Sequence, residues 1–262
     1  MNRPVIFGVL NVTPDSFSDG GEHYSVDDAL AHARTLIADG ADWIDVGGES
    51  TAPGREPVGP AEEQRRILPV IRELVAEGIP VSVDTFRAET AAAAVEAGAS
   101  IINDVYGADP AMPTVLLESD ARYVMMHSFG APITPHEYGD VVEEVRLELM
   151  RRVDALDALG VAPERIVLDP GLGFSKEPQE NWELIARLHE ITSIGMPVLV
   201  GASRKRFIGR LVGDDMHDRD LATAVAGVFA AQAGAWAVRV HDVRATRIAL
   251  DVVAAVTTGE GQ

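Results

Sequence analysis

Three polar residues, Asp84, Asn103 and Asp169, each stand at the end of a short apolar run, in VSVDT, IIND and IVLDPGLGF. Two carboxylates and an amide brought to one place offer several acceptors and one donor pair. That set complements a flat heterocycle presenting adjacent N–H, NH₂ and C=O groups. Any one of them can equally cap the helix or turn that follows, but three on separate runs of one kind favour a shared site. A second set is basic: Lys205 and Arg204 lie in GASRKRFIG, and Arg239 and His241 stand two apart in AVRVHD. Spacing of two puts both side chains on one face of a strand. A lone His is ordinarily a satisfied core imidazole and a lone Arg a salt-bridge partner, whereas a Lys, Arg and His together in an acidic chain suit an anion such as a diphosphate. Asn11, closing VIFGVLN, adds an oxygen ligand for a hard cation such as Mg²⁺, which keeps most of its waters and bridges to phosphate. Phe17 and Phe174 could form an apolar slot for a second, aromatic reactant, or simply anchor their loops.

These residues need elements that bring them together. Eight segments share one pattern, a short apolar run closing on a polar or charged residue before a turn: VIFGVLN, WIDVGGEST, VSVDT, IIND, YVMMH, IVLDPGLGF, VLVGASRK and AVRVHD. Helical stretches separate them. Ser25 precedes VDDALAHARTLIADG, Pro60 opens AEEQRRILPVIRELVAEG, and glycines close these helices and the two that follow. Eight buried strands alternating with helices, each ending in a polar side chain, predict a (β/α)₈ TIM barrel, residues 1–262 forming one domain with the polar ends on one rim. The segments 12–24 and 49–59, rich in Gly, Pro, Ser and Asp, predict long βα loops at that rim. The last two helical stretches, LATAVAGVFAAQAG and VRATRIALDVVAAV, are apolar on most faces. This predicts either a subunit interface or close alanine packing between neighbouring helices.

Lys+Arg 22 against Asp+Glu 41 gives a net charge of −19, which repels nucleic acid and anionic lipid surfaces. An anionic substrate must therefore be drawn by a local basic cluster. No cysteine excludes a disulfide frame, a thiolate metal site and a thiol nucleophile. The start MNRPVIFGVL enters strand-like sequence without a signal-peptide pattern, so the cytoplasm is the expected compartment.

Seven motifs in order, NVTPDSFSDGG, DVGGESTAPG, SVDT, INDV, LDPGLGF, GASRK and RVHD, cover nearly the whole chain and resemble those of dihydropteroate synthases, the sulfonamide targets of folate biosynthesis. The resemblance implies a transferase that condenses 6-hydroxymethyl-7,8-dihydropterin diphosphate with 4-aminobenzoate, giving 7,8-dihydropteroate and diphosphate, with Mg²⁺ as cofactor and a homodimer as the assembly. It implies that Asp84, Asn103, Met126, Asp169 and Lys205 bind the pterin, with Asp84, Asp169 and Lys205 catalytic. It places Asn11, Arg239 and His241 at the diphosphate, Asn11 also at the metal, and Phe17, Thr51, Pro53, Phe174 and Arg206 around the aminobenzoate. Two positions depart from the common pattern: Ala52 stands where the second loop usually has Arg, with Arg55 three residues on, and Arg206 follows Lys205 where Ser is frequent.

The implied chemistry suits these residues. An aromatic amine is a weak nucleophile, so departure of the diphosphate first, leaving a pterin-methyl cation, helps the reaction. Asp84 and Asp169 would stabilise the positive charge, and Mg²⁺, Arg239 and His241 the negative charge that leaves. Three other readings share parts of the pattern. A corrinoid-linked pterin methyltransferase has no need of Lys205 and the RVH cluster. An aldolase would use Lys205 as a Schiff-base lysine, but no other residue suits a carbonyl substrate. An inactive relative of the synthase is the reading that Ala52 keeps open.

Overall fold

A computed structural model of the protein describes residues 3–13, 26–49, 58–107, 109–129, 134 and 136–259. In chain order the elements are β1 (Val5–Asn11), α1 (Val26–Ala38), β2 (Trp43–Gly47), α2 (Pro60–Ala76), β3 (Val81–Asp84), α3 (Ala88–Glu96), β4 (Ile101–Asp104), α4 (Met112–Leu117), β5 (Arg122–Met126), α5 (Val141–Ala158), β6 (Ile166–Asp169), α6 (Pro178–Ala186), α7 (Leu188–Thr192), β7 (Leu199–Val200), α8 (Arg206–Val212), α9 (Met216–Gln232), β8 (Ala237–Val240) and α10 (Val243–Thr258). All strands are parallel, in the order β6-β5-β4-β3-β2-β1-β8-β7. A bridge from Leu168 to Val198 closes β6 onto β7. The eight expected strands thus form the expected barrel.

Helix starts follow their signals. Pro60 takes the first position of α2, where its missing N–H costs nothing. Asp140, Asp215 and Asp242 accept backbone N–H groups at the starts of α5, α9 and α10. Between strands and helices lies a large shell of apolar side chains, and inside the barrel sits a small plug of Phe7, Ile101, Val124, Val167, Leu199 and Ala237. Period two carries this plug directly into the site. Two residues above Phe7, Ile101, Val167 and Ala237 along their strands stand Val9, Asn103, Asp169 and Arg239, and four above Phe7 stands Asn11. The plug fills the bottom of the barrel, and the next layers carry polar atoms.

Close alanine packing, one of the two readings of the apolar late helices, holds on the inner side of α9. Ala224, Gly227, Ala230 and Ala231 bury the inner side of α9. Leu221, Val225 and Phe229, four residues apart on its outer side, are exposed, as are Ile248, Val252 and Val256 of α10. No helix among the described residues is long and apolar enough to cross a membrane.

Candidate functional site

A cavity of about 520 Å³ opens at the C-terminal ends of the strands, and Asn11, Asp84, Asn103, Asp169, Phe174, Lys205, Arg206, Arg239 and His241 line it together. Met126, which stands two residues above Val124 of the plug, is buried and does not line the cavity. Phe17, Thr51 and Pro53 lie outside the described residues, as do Ala52, Arg55 and most of both long rim loops.

The floor of the cavity is organised by a residue to which the sequence reading gave no role. Asp45, on β2, is fully buried, and its Oδ2 accepts both from Arg239 Nε and, at 3.0 Å, from Asn103 Nδ2. Arg239 also donates from its second arm to Asp84 Oδ2 at 2.6 Å. Two buried carboxylates therefore share one guanidinium, a balance that an apolar interior requires of any charge. The network also orients Asn103, since an amide whose nitrogen is held by Asp45 turns its carbonyl oxygen to the remaining space. Asp169 is divided in the same way: Oδ1 accepts from Gly171 N at 2.7 Å, leaving Oδ2 toward Lys205. The three side chains converge over Gly201, where a Cβ would stand 3.9 Å from Arg239 Cβ, Asp169 Oδ2 and Lys205 Nζ alike, an ordinary van der Waals contact.

Burial sets the protonation states. It pushes the Asp84 carboxyl up to about 7 in spite of Arg239, with Asp45, Glu63 and Asp104 adding like charge. Asp169 is also raised by burial, against the pull of Lys205. Burial lowers Lys205 to about 8, opposed by Asp169. Lys205 donates to the Leu172 carbonyl and its ammonium lies 4.2 Å from the centre of the Phe174 ring. His241 is held down to about 3 by burial and by Arg239, Arg204 and Lys205. It is thus a neutral imidazole beside the Lys205 and Arg239 cations. Ser203 Oγ accepts from the His241 backbone N–H at 3.1 Å and pairs with Nδ1 at 2.9 Å. In the tautomer in which the hydroxyl donates to Nδ1, the ring proton sits on Nε2, a neutral donor for an anion. Arg204, the other basic candidate, is tied to Asp220 by two bonds of 2.7 and 2.8 Å, while Lys176, Lys205, Arg206 and Arg239 also line the cavity.

The model of the family described as "Pterin binding enzyme" matches residues 7–241. The dihydropteroate synthase of Mycobacterium leprae is 50% identical over 262 residues, covering 95% of this chain and 92% of that protein. The chain belongs to the dihydropteroate synthase family of pterin binding enzymes. Among solved structures, the Xanthomonas albilineans dihydropteroate synthase with 4-aminobenzoic acid superposes with a TM-score of 0.93 at 45% identity, covering 98% of this chain and 94% of that one. The same enzyme in complex with 7,8-dihydropteroate gives 0.89 at 44% identity, with the same coverage.

Beyond Asp45 and Ser203, the sequence reading also passed over Lys176. The signals were present but unremarkable: Asp45 ends WID as Asp84 ends VSVD, Ser203 directly precedes Arg204, and Lys176 follows LDPGLGF by one residue.

Proposed function

We propose that the chain is a dihydropteroate synthase, joining 6-hydroxymethyl-7,8-dihydropterin diphosphate to 4-aminobenzoate with release of diphosphate. The observation that carries this reading is the division of labour in the floor. Asp45 and Gly171 occupy one side of Asn103 and of Asp169, so that the Asn103 carbonyl, Asp169 Oδ2 and Asp84 face the cavity as acceptors. A pterin edge carrying ring N–H and amino donors satisfies all three. Above it, Arg239 and the Nε2–H of His241 meet the diphosphate, and Phe174 with Arg206 meets the ring and carboxylate of the aminobenzoate.

Departure of the diphosphate leaves positive charge on the pterin methylene carbon. The ionised Asp169 and Asp84 stabilise that charge without forming a bond to it, while Arg239 and His241 hold the leaving anion. The aminobenzoate nitrogen then attacks the carbon, and the proton it carries is lost to water or to diphosphate. Lys205, held between the Leu172 carbonyl and Phe174, orients the pterin from the opposite wall. No group of three or more His, Asp or Glu among the described residues could hold a metal alone. Asn11 offers one amide oxygen at the cavity wall. An amide oxygen of this kind fits a hard cation, and Asn11 would hold Mg²⁺ there. When bound there, Mg²⁺ neutralises charge on the leaving diphosphate. The methyltransferase alternative gains nothing from a cavity in which Lys205, Arg239 and His241 converge.

The exposed stripe of Leu221, Val225 and Phe229 beside Ile248 and Val252 leads us to read the working unit as a homodimer formed through α9 and α10. The strong net negative charge argues against nucleic-acid and anionic membrane partners, and the synthase reading places the protein in the cytoplasm.

Titration calorimetry of a pterin against the wild type and Asp169→Asn tests the carrying observation. The amide keeps the Gly171 bond and turns a donor toward the ligand's own donor, so affinity should fall by about 1–3 kcal/mol. Equal affinity for the two proteins would overturn the assignment.

A further inference from the structure

The turn between β6 and α6, Gly171 to Lys176, carries Phe174 to the cavity and the Leu172 carbonyl to Lys205, and its shape is over-determined. Gly171 has φ of 69°, and a Cβ there would lie 1.9 Å from the His127 carbonyl oxygen, so the turn rides directly on the end of β5. Gly173 has φ of 77°, and a Cβ there would lie 2.7 Å from Lys205 Cδ. Ser175 holds φ of 52°, unusual for a residue with a side chain, and its hydroxyl accepts from Phe129 N at 3.1 Å. Asn181 of α6 accepts from Gly173 N and donates to the Glu177 carbonyl at 2.7 Å.

Lys176 closes this arrangement from within. Its Nζ donates to the Gly171 carbonyl at 3.1 Å, to the Phe174 carbonyl at 3.0 Å and to His127 Nδ1 at 3.0 Å. An ammonium has three protons, and each has an acceptor. His127 is fully buried and lowered to about 2 by burial and by Lys176 and Arg152, so it is neutral and free to accept at Nδ1. Its Nε2 has no partner, which leaves the bond to Lys176 as the one polar contact of the ring among the described residues.

We propose that Lys176 is a positioning residue for both subsites: by holding Gly171, Phe174 and His127 together, it aims the Leu172 carbonyl at Lys205 and lays the Phe174 ring over the Lys205 ammonium. This rests on the synthase reading for the names of the subsites, and on geometry for the clamp. Three bonds to three acceptors require the charged form. The groups that face Lys176 are His127 at the end of β5, Asp169 at the end of β6, Lys205 ahead of α8, Glu180 of α6, Arg152 of α5 and the Tyr138 ring 5.9 Å away. Burial dominates among them and lowers Lys176 to about 7, with Asp169 raising it and Lys205 lowering it. Below that pH the clamp has all three protons, and above it one acceptor is left facing a lone pair.

The test is the ratio of wild-type to variant kcat/KM for aminobenzoate from pH 6 to 8.5, a ratio in which substrate ionisation cancels. Lys176→Met should be about tenfold poorer at pH 6, chiefly through KM, and the gap should narrow by pH 8.5, where the wild-type lysine, uncharged, keeps two of its three bonds. His127→Asn, which keeps an acceptor near the Nδ1 position, should follow the wild type, and His127→Leu should follow Lys176→Met. A ratio near one at pH 6, a ratio constant with pH, or equal losses in the two His127 variants would overturn the proposal. The His127 pair decides the matter if Lys176→Met does not fold. A folded wild type with no turnover would instead overturn the synthase reading, and the same four proteins titrated with pterin across this pH range would still decide the role of Lys176.

Discussion

Replacing Asp45 with asparagine should weaken pterin binding at pH 8 and leave it almost unchanged at pH 6. Asp45 does two things in the cavity floor: it fixes Arg239 and Asn103, and its charge helps to hold the Asp84 carboxyl up near 7. An asparagine oxygen keeps both bonds, but as neutral ones, and the difference between charged and neutral hydrogen bonds is about 1 kcal/mol, or roughly fivefold in affinity. Removing the like charge also lowers Asp84 by about one unit. At pH 8 Asp84 is ionised in both proteins, so the fivefold loss is seen in full. At pH 6 ionised Asp84 rises from about a tenth to about half of the molecules, a gain of roughly fivefold that offsets the loss. Calorimetric titration with a pterin at several pH values reads both effects. A penalty constant from pH 6 to 8, or one that grows as pH falls, would refute the claim that ionised Asp84 is the acceptor and that Asp45 holds its proton in place.

Three further outcomes follow from the same geometry. His241→Ala removes a neutral donor aimed at the leaving group, so affinity for the pterin diphosphate should fall about fivefold while a pterin without diphosphate binds as before; equal losses would place His241 at the ring. Arg239→Ala strands Asp45 and Asp84, and should cost about 3–5 kcal/mol of stability at pH 8. Thermal melts should show a smaller penalty at pH 5, where the raised Asp84 is protonated, and a penalty independent of pH would contradict the shared ion pair. On the proposed homodimer, the wild type should sediment as a dimer and Phe229→Glu, which places a charge in the exposed α9 stripe, as a monomer; a variant that sediments as the wild type does would contradict an interface through α9.

The barrel was legible because strand and helix signals alternate along most of the chain, and because eight strand ends repeat one pattern. Asp84, Asn103, Asp169 and Lys205 could be picked out since each is a polar residue where an apolar run stops. What remained hidden depends on pairing across the barrel. Nothing in WIDVGG says that Asp45 points inward onto Arg239, almost two hundred residues away, because β2 meets β1 and β3 only once the sheet closes. His241 was placed at an anion by its type and neighbours, but its neutral state, set by burial beside three cations, has no sequence signal. Lys176 escaped notice because its role lies in three acceptors supplied by backbone and by His127, none of which has a sequence signature.

The central claim is that this cavity joins a pterin to an aromatic amine, and the most direct test is to supply 6-hydroxymethyl-7,8-dihydropterin diphosphate, 4-aminobenzoate and Mg²⁺ to the full chain and quantify both products. The synthase reading predicts 7,8-dihydropteroate and diphosphate in equal amounts, with turnover lost when Asp169 is replaced by asparagine. A folded, pterin-binding protein that forms no dihydropteroate would contradict it.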